Sequence, residues 1–207
     1  MKTLVFAACI GFAALGVAGA QETSHWAFDI GGGFTTPVGD TGRNLNEGWN
    51  VGAGFGANFN SWVGALVDLD YNSFAINGST LQAIGYPGGG VHIFSATLDP
   101  VVHLTPKRHY DMYVTGGGGL YHRYLDFTQP TAAYVSGYDP YLGFYSGVVG
   151  VNQVVASNSV NKPGFDGGVG IAFGTKWHGK FFAEARYNRI CANYHTDFVP
   201  VTFGFRW

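Results

Sequence analysis

The side chains in this sequence that are best suited to bind or to react are charged residues that alternate with glycines and other small residues. Glu184 and Arg186 are the clearest pair, because a spacing of two places both on one face of a β-strand. Carboxylates and guanidinium groups inside a narrow enclosure can pair with one another or bind trapped water. They predict a structural ion-pair network or, as the alternative, a narrow polar path gated by the pairs. The predicted lumen network comprises Asp29, Asp68, Asp70, Asp99, Asp111, Arg123, Asp166, Lys176, Glu184, Arg186 and Arg206.

The histidines are the second group of side chains that could take part in catalysis or metal binding. His122 and Asp126 share one face of a predicted strand, but the spacing fixes no serine beside them for an acyl-transfer site. Three further histidines, His92, His103 and His109, lie scattered and lack the spacing of metal ligands. We expect His103 and His109 to belong to a solvated basic rim together with Lys107 and Arg108. No catalytic, cofactor-binding or metal-binding residue is therefore predicted.

The composition argues against a soluble globular domain and against a nucleic-acid-binding protein. Only 12% of the 207 residues are charged, whereas a typical soluble domain carries about 25%. The formal net charge of -2 gives no basic surface for phosphates. A membrane protein without spanning helices must close its strands into a barrel, because unpaired backbone groups cannot face lipid.

The first twenty residues have the layout of a secretory signal peptide. Lys2 gives a short basic start, residues 4–17 form an apolar run, and Ala18-Gly19-Ala20 offers a small-x-small cleavage site. The apolar run is shorter than the roughly 20 residues that a spanning helix needs. We therefore assign residues 1–20 to the signal peptide, cleaved near Ala20, and residues 21–207 to one β-barrel domain.

Segments of period-two hydrophobicity alternate with connections rich in Gly, Asn, Asp and Pro, which predicts strands joined by turns. Connections 36–48, 74–90 and 128–164 are long and alternate with short ones, the asymmetry of extracellular loops and periplasmic turns in outer-membrane barrels. The predicted fold class is all-β, an eight-stranded antiparallel up-and-down transmembrane β-barrel. Its predicted strands are 26–35, 49–59, 62–73, 91–104, 110–127, 165–177, 180–191 and 198–207.

The predicted strands 26–35, 49–59, 165–177 and 198–207 each have one aromatic or aliphatic face and one face of small or charged residues. A soluble barrel would bury the aromatic face, whereas a membrane barrel turns it toward lipid. The glycine-rich face would make a poor soluble exterior, and tryptophans occur at strand ends, where membrane barrels carry aromatic girdles. We therefore predict that the aromatic face meets lipid. The predicted interface aromatics are Trp26, Trp49, Trp62 and Trp177.

The C-terminus carries the most specific local pattern, with apolar side chains alternating back from a terminal aromatic at Val201, Phe203, Phe205 and Trp207. This terminus and the strand pattern resemble the small outer-membrane barrels of the OmpA, OmpX and OmpW type over essentially the whole mature chain. The resemblance implies a location in a bacterial outer membrane, contact with its lipid, and transient recognition by the barrel-assembly machinery and periplasmic chaperones. Trp207 stands where such proteins more often have Phe.

The long connection 128–164 is rich in Tyr, Gly, Ser and Asn, a composition typical of adaptable recognition surfaces. It predicts either a recognition loop for an extracellular ligand or, as we favour, a hairpin in which the flanking strands continue through 141–156. The leading functional hypothesis is a non-enzymatic barrel that presents its loops for surface interaction or supports envelope integrity. The alternatives are a narrow channel or conduit for small hydrophobic molecules and, third, a lipid-modifying barrel enzyme.

Overall fold

The computed structural model describes residues 26–106, 110–141, 143–174, 179–192 and 195–207. Within these residues eight antiparallel strands pair in chain order, and β8 returns to pair with β1, which closes the barrel. The predicted fold class is therefore confirmed. The strands are β1 (Trp26–Pro37), β2 (Leu45–Asn58), β3 (Val63–Ile76), β4 (Gly88–His103), β5 (Tyr110–Asp139), β6 (Gly143–Gly174), β7 (Lys180–Ile190) and β8 (Thr196–Arg206), with short helices α1 (Thr41–Asn44) and α2 (Gly78–Ile84).

The predicted signal peptide, Lys176, Trp177 and the rim residues Lys107, Arg108 and His109 lie outside the described residues. Neither of the two described helices has the length and apolar character to cross a membrane.

The largest departure from the predicted strand bounds is in β5 and β6, which have 30 and 32 residues. Pairing between β4 and β5 stops at Gly88 and Thr128, whereas β5 and β6 remain paired as far as Asp139 and Gly143. We call residues 128–154 the tall hairpin, and the end of the barrel that carries it the loop end. At about 3.4 Å per residue, the hairpin rises roughly 40 Å along its strands. The hairpin interpretation of this connection is thus the one that the structure adopts.

The barrel interior has three layers. An apolar cluster fills the loop end around Phe74, Ile93, Tyr121 and Phe198, and a second fills the opposite end around Leu66, Val101, Tyr113 and Phe182. Buried charged residues lie between and beside these clusters. We call the opposite end, which carries Trp26 and Trp207, the turn end. The interior is therefore packed with side chains, as is typical of eight-stranded barrels.

The outer face of the barrel is a continuous apolar surface, because alternate residues of every strand point outward. Trp26, Ile30, Leu98 and Leu120 each expose more than half of their surface. We call this surface the apolar band and define it as the outward residues of 26–34, 49–57, 63–71, 94–102, 112–120, 165–173, 181–187 and 199–207. About eight residues per tilted strand give it a height of roughly 20 Å, close to the apolar height of membrane barrels.

Tryptophans lie at or next to the two ends of the apolar band. Trp26 and Trp62 lie at the turn end, where Trp207 approaches Phe28 with ring centroids 6.4 Å apart. Trp49 lies near the loop end but four residues inside β2, so its predicted place at the start of a strand is wrong. The reason is that β2 begins at Leu45 and extends above the apolar band.

Candidate functional site

The lumen is crossed by the guanidinium group of Arg186, which reaches from β7 to the facing wall. Its Nη2 donates to Asp68 on β3 at 2.6 Å and its Nη1 donates to Asp99 on β4 at 2.7 Å. Its Nε donates to Glu184, two residues away on the same strand face. A carboxylate oxygen of Asp166 lies 4.0 Å from Nη1. One cation therefore joins β3, β4 and β7 across the barrel.

A second cation, Arg206, holds the network at the turn end. It contacts Asp29 at 2.8–2.9 Å and lies 4.0 Å from Glu184. The guanidinium stacks over the rings of Tyr113 and Phe182, at 4.8 and 5.2 Å from their centroids. These aromatic faces supply cation–π stabilisation in a site that is largely shielded from water.

The mouth of the barrel at the turn end has a separate polar group. Asp111 accepts hydrogen bonds from Lys180 at 3.2 Å and interacts with His103 Nδ1 at 2.7 Å. The assignment of His103 to a solvated basic rim is therefore wrong, because its inward position on β4 places it beside a buried carboxylate on β5. Asp111 is linked to His103 and Lys180 rather than to Arg186.

Arg123 lies apart from Arg186 and Arg206, the two arginines that bind the carboxylates in the middle of the barrel. Arg123 points into the lumen at the loop end, where its Nη1 donates to Thr196 at 3.1 Å rather than to a carboxylate. The layer around Tyr121 lies between Arg123 and Arg186 along the barrel axis. Asp70 lines the same small cavity as Asp68 and Arg186. Lys176 lies outside the described residues.

Glycines on the inner face make room for the large side chains that cross the lumen. A Cβ at Gly168 would lie 2.7 Å from Arg186 Cγ, and a Cβ at Gly170 would overlap the ring of Tyr113. The cavity beside Arg186 has a volume of only about 30 Å³, room for roughly two water molecules. The described side chains therefore close the middle of the barrel.

The outer surface carries a polar group that the sequence pattern did not reveal. Asp126 shares the outward face of β5 with His122, as predicted, and its carboxylate lies 3.2 Å from His92 Nε2. His122 contacts Asn161 on β6. Ser73 Oγ lies 3.2 Å from His92 Nδ1, so a serine does stand beside a histidine–carboxylate pair. Ser73, His92 and Asp126 come from β3, β4 and β5. Predicting that they meet would require the register of these strands, which decides which residues lie opposite one another.

The tall hairpin forms an exposed aromatic surface above the barrel. Tyr141 and Phe144 expose 95% and 89% of their surface at the tip, and Gly143 adopts a positive φ of 80° that closes the turn. Over the whole connection 128–164 the charged residues are Asp139 and Lys162. The hairpin therefore offers aromatic rings and uncharged hydrogen-bonding groups to a partner.

An ion pair ties the rim at the loop end. Arg189 Nε and Nη2 donate to the two carboxylate oxygens of Asp197, both at 2.8 Å. This bidentate hydrogen bonding lowers the pKa of Asp197 and raises that of Arg189. The backbone N–H of Asp197 also donates to Thr41 at the start of α1, so the pair joins β7, β8 and the first long connection.

The described residues contain no cluster of His, Cys, Asp and Glu that could hold a metal ion. They do bring together a closed lumen network, an outward polar group and a tall hairpin.

Several solved structures are similar to this chain. Neisserial surface protein A has a TM-score of 0.58 at 13% identity, over 90% of this chain and 98% of its own. Ail, the attachment invasion locus protein of Yersinia pestis, has 0.51 at 16% identity, over 89% and 100%. OprG of Pseudomonas aeruginosa has 0.50 at 14% identity, over 91% and 98%. No protein-family model and no curated protein matches the sequence. The chain has the fold of the small eight-stranded outer-membrane β-barrels.

Proposed function

We propose that this chain is an integral protein of a bacterial outer membrane that holds the tall hairpin above the cell surface for contact with other surfaces. The observation that carries the proposal is the continuation of β5 and β6 well beyond the last pairing with β4 at Thr128. Backbone hydrogen bonding holds a two-stranded ribbon in shape, so its tip stands at a defined height. An ordered projection loses less conformational freedom on binding than a flexible loop does.

The surface of the tall hairpin supports contact through aromatic rings rather than through charge. Tyr138, Tyr141 and Phe144 are all strongly exposed, and the ring centroids of Tyr138 and Phe144 lie 5.0 Å apart. Exposed tyrosines supply large, amphipathic contact area with few rotatable bonds. We therefore expect the contact to depend weakly on ionic strength. The same fold occurs in Ail, whose name describes attachment and invasion.

The barrel serves in this proposal as the anchor. The apolar band would lie in the membrane, with Trp207 at the turn end in the periplasmic interface and the tall hairpin outside. A projecting hairpin needs a rigid base, and Arg186 joins β7 to β3 and β4 across that base. This role needs neither an open lumen nor a catalytic step.

The channel alternative has less support from the same residues. A path along the axis would have to pass Arg186, which is bound to carboxylates on two other strands beside a cavity of about 30 Å³. It would also have to displace the apolar layer that contains Tyr121 and Phe198 at the loop end.

We also propose that the terminal strand is the segment recognised during assembly. Val201, Phe203 and Phe205 lie on the outward face of β8, and Trp207 follows directly after the strand. Trp207 pairs with Phe28 through two backbone hydrogen bonds of 2.9 and 3.0 Å. A strand that completes the ring last is well placed for transient recognition by the assembly machinery and periplasmic chaperones.

Truncation of the tall hairpin tests the contact role. Residues 130–152 would be replaced by Asn-Gly, which forms a two-residue hairpin turn between the paired Gln129 and Gln153. We expect cells that express the truncated protein to lose aggregation and retention on hydrophobic and glycan-coated surfaces, while heat-modifiable gel migration shows a folded barrel. Unchanged aggregation and retention by the folded truncated protein would overturn the contact role.

A further inference from the structure

Tyr71, Ser73, His92 and Asp126 form a polar group on the outside of the barrel, which we call the outer cluster. Ser73 on β3 lies directly opposite His92 on β4. Asp126 on β5 lies opposite Gly90. Gly90 is two residues before His92 and shares the outward face of β4 with it. Three neighbouring strands thus bring one hydroxyl, one imidazole and one carboxylate into a line across the sheet.

The distances in the outer cluster are those of a nucleophile, a base and an orienting carboxylate. Ser73 Oγ lies 3.2 Å from His92 Nδ1, and Asp126 Oδ1 lies 3.2 Å from His92 Nε2. A carboxylate beside Nε2 favours the tautomer that is protonated there, which leaves the Nδ1 lone pair facing the hydroxyls of Ser73 and Tyr71. His92 is therefore placed to accept the proton of Ser73.

Asp126 is unusual for an outward carboxylate because only 9% of its surface is exposed. Its Oδ1 is buried and lies at ion-pair distance from His92, but the two are not aligned as a hydrogen bond. A shielded carboxylate in this position stabilises an imidazolium that forms during a reaction.

The position of the outer cluster selects the substrate class. Tyr71 is the last outward residue of the apolar band on β3, and the ring of Trp49 packs 5.3 Å from its ring, as expected of an interfacial aromatic girdle. Ser73 and His92 lie just above this level. In a bilayer the ester groups of lipids occupy that level, between the acyl chains and the head groups. Leu69 and Phe94, each 47% exposed directly below, offer an apolar surface to an acyl chain.

We propose that the outer cluster is a hydrolytic site for ester-linked acyl chains of outer-leaflet lipids, with Ser73 as nucleophile, His92 as general base and acid, and Asp126 as the orienting carboxylate. This activity rests on the membrane placement proposed above and is independent of the contact made by the tall hairpin.

The reaction balances with water as the co-reactant. Ser73 Oγ attacks the ester carbonyl carbon and its proton passes to His92 Nδ1. The tetrahedral intermediate collapses, the bond from carbon to the lipid oxygen breaks, and Nδ1–H protonates that oxygen, which leaves as a hydroxyl. Water then attacks the acyl-serine with His92 as base, which releases the fatty acid and restores Ser73.

Tyr71 is the candidate donor to the oxyanion. Its hydroxyl now lies 2.8 Å from His92 Nδ1, the same atom that Ser73 approaches. Because Nδ1 has one lone pair, Tyr71 gives up this hydrogen bond as Nδ1 takes the serine proton. The tyrosine hydroxyl is then free to donate to the negative oxygen that forms on the ester carbon, where one such donor is worth about 10²–10³ in rate.

A covalent probe tests the nucleophile in the folded protein. A fluorophosphonate with a long alkyl chain forms a bond from phosphorus to an activated serine oxygen and loses fluoride. We expect the detergent-folded full-length protein to be labelled at the peptide that contains Ser73. The variant Ser73→Ala should lose labelling, Asp126→Asn should reduce its rate by about tenfold or more, and the control Ser61→Ala, exposed in the turn between β2 and β3, should label normally.

Lipid substrates identify the source of the acyl chain. The protein is reconstituted in vesicles that contain either glycerophospholipid alone or added lipopolysaccharide, and released fatty acid is quantified. Release from one arm that is lost in Ser73→Ala identifies that lipid as the substrate. Absence of labelling together with absence of release in both arms, or labelling that persists in Ser73→Ala, overturns the proposal. Because these measurements need no cell contact, they separate failure of this site from failure of the hairpin role.

Discussion

Arg186 Nη2 lies 2.6 Å from Asp68 Oδ2, although β7 and β3 stand on opposite sides of the eight-stranded ring. A bond that spans a barrel in this way fixes its cross-section. The same guanidinium is bound to Asp99 and Glu184, so removal of one side chain would leave several buried carboxylates without a cationic partner.

Arg186→Met is expected to destabilise the folded barrel by about 3–5 kcal/mol, the usual cost of breaking a buried ion pair from one side. Urea unfolding in detergent, followed by tryptophan fluorescence, measures the effect. The control is Arg43→Met, because Arg43 is 83% exposed and lies 3.8 Å from an exposed Asp40. Such surface pairs contribute about 0–1 kcal/mol. Equal midpoints for the two variants would contradict the importance of the network.

Gly170→Val is expected to impair barrel folding, because the new Cβ would overlap the ring of Tyr113 and the buried ring has little room to move. Overpacking of this kind costs roughly 1–3 kcal/mol. Heat-modifiable gel migration after refolding gives the folded fraction. Gly147→Val in the tall hairpin is the matched control, since a Cβ there meets nothing within 4 Å. A folded fraction as high for Gly170→Val as for Gly147→Val would show that the interior is looser than described.

The Arg189–Asp197 pair predicts a component of acid lability. Because the hydrogen bonds from Arg189 lower the folded-state pKa of Asp197, the pair stabilises the fold above the unfolded pKa of about 3.9. That contribution is lost as the pH falls through the lower folded pKa. Asp197→Asn should therefore be less stable than the wild type near pH 6, with the difference shrinking toward pH 2.

Urea midpoints at a series of pH values test this sign. The exposed Asp40→Asn variant serves as the control for a change of surface charge. A difference between wild type and Asp197→Asn that grows on acidification would show that the pair does not act as described.

The double variant Tyr141→Ser, Phe144→Ser is expected to keep the stability of the wild type, within about 0.5 kcal/mol, because both side chains are almost fully exposed at the hairpin tip. The same variant should reduce cell aggregation and surface retention, since it removes the aromatic contact area. Ile84→Ser, at an exposed apolar position on α2, tests whether any loss of surface hydrophobicity has this effect. Equal losses in both variants would argue against a specific role for the tip.

Period-two patterning was sufficient to predict the eight strands and the fold class. The reason is local: alternation along a strand is set by backbone geometry, so Phe203 and Gly204 must face opposite sides wherever the strand lies. The ends of the two strands of the tall hairpin were predicted less accurately. Val, Tyr and Ser have similar strand preferences inside and above a membrane, so the composition does not mark where the strands end.

Period-two patterning could not predict which side chains of different strands contact one another. The approach of Ser73, His92 and Asp126 depends on the register of three strands, and a shift of one residue would turn any of them inward. For Arg123 the pattern predicts the direction of the side chain but not its hydrogen-bond partner. Its inward direction follows from alternation, but its height above the layer of Tyr121, and hence its partner Thr196, depends on the stagger of β5 and β8 in the closed barrel.

Planar-bilayer recording tests most directly the central claim that this protein is a closed, membrane-anchored base for a projecting hairpin. Purified wild-type protein, folded and inserted, should give no steady discrete openings, because Arg186 and the apolar layer at the loop end block the axis. Insertion is verified separately by protease protection of the barrel. Steady openings of the wild-type protein, with a conductance that changes on substitution of Arg186, would contradict the account and favour a channel.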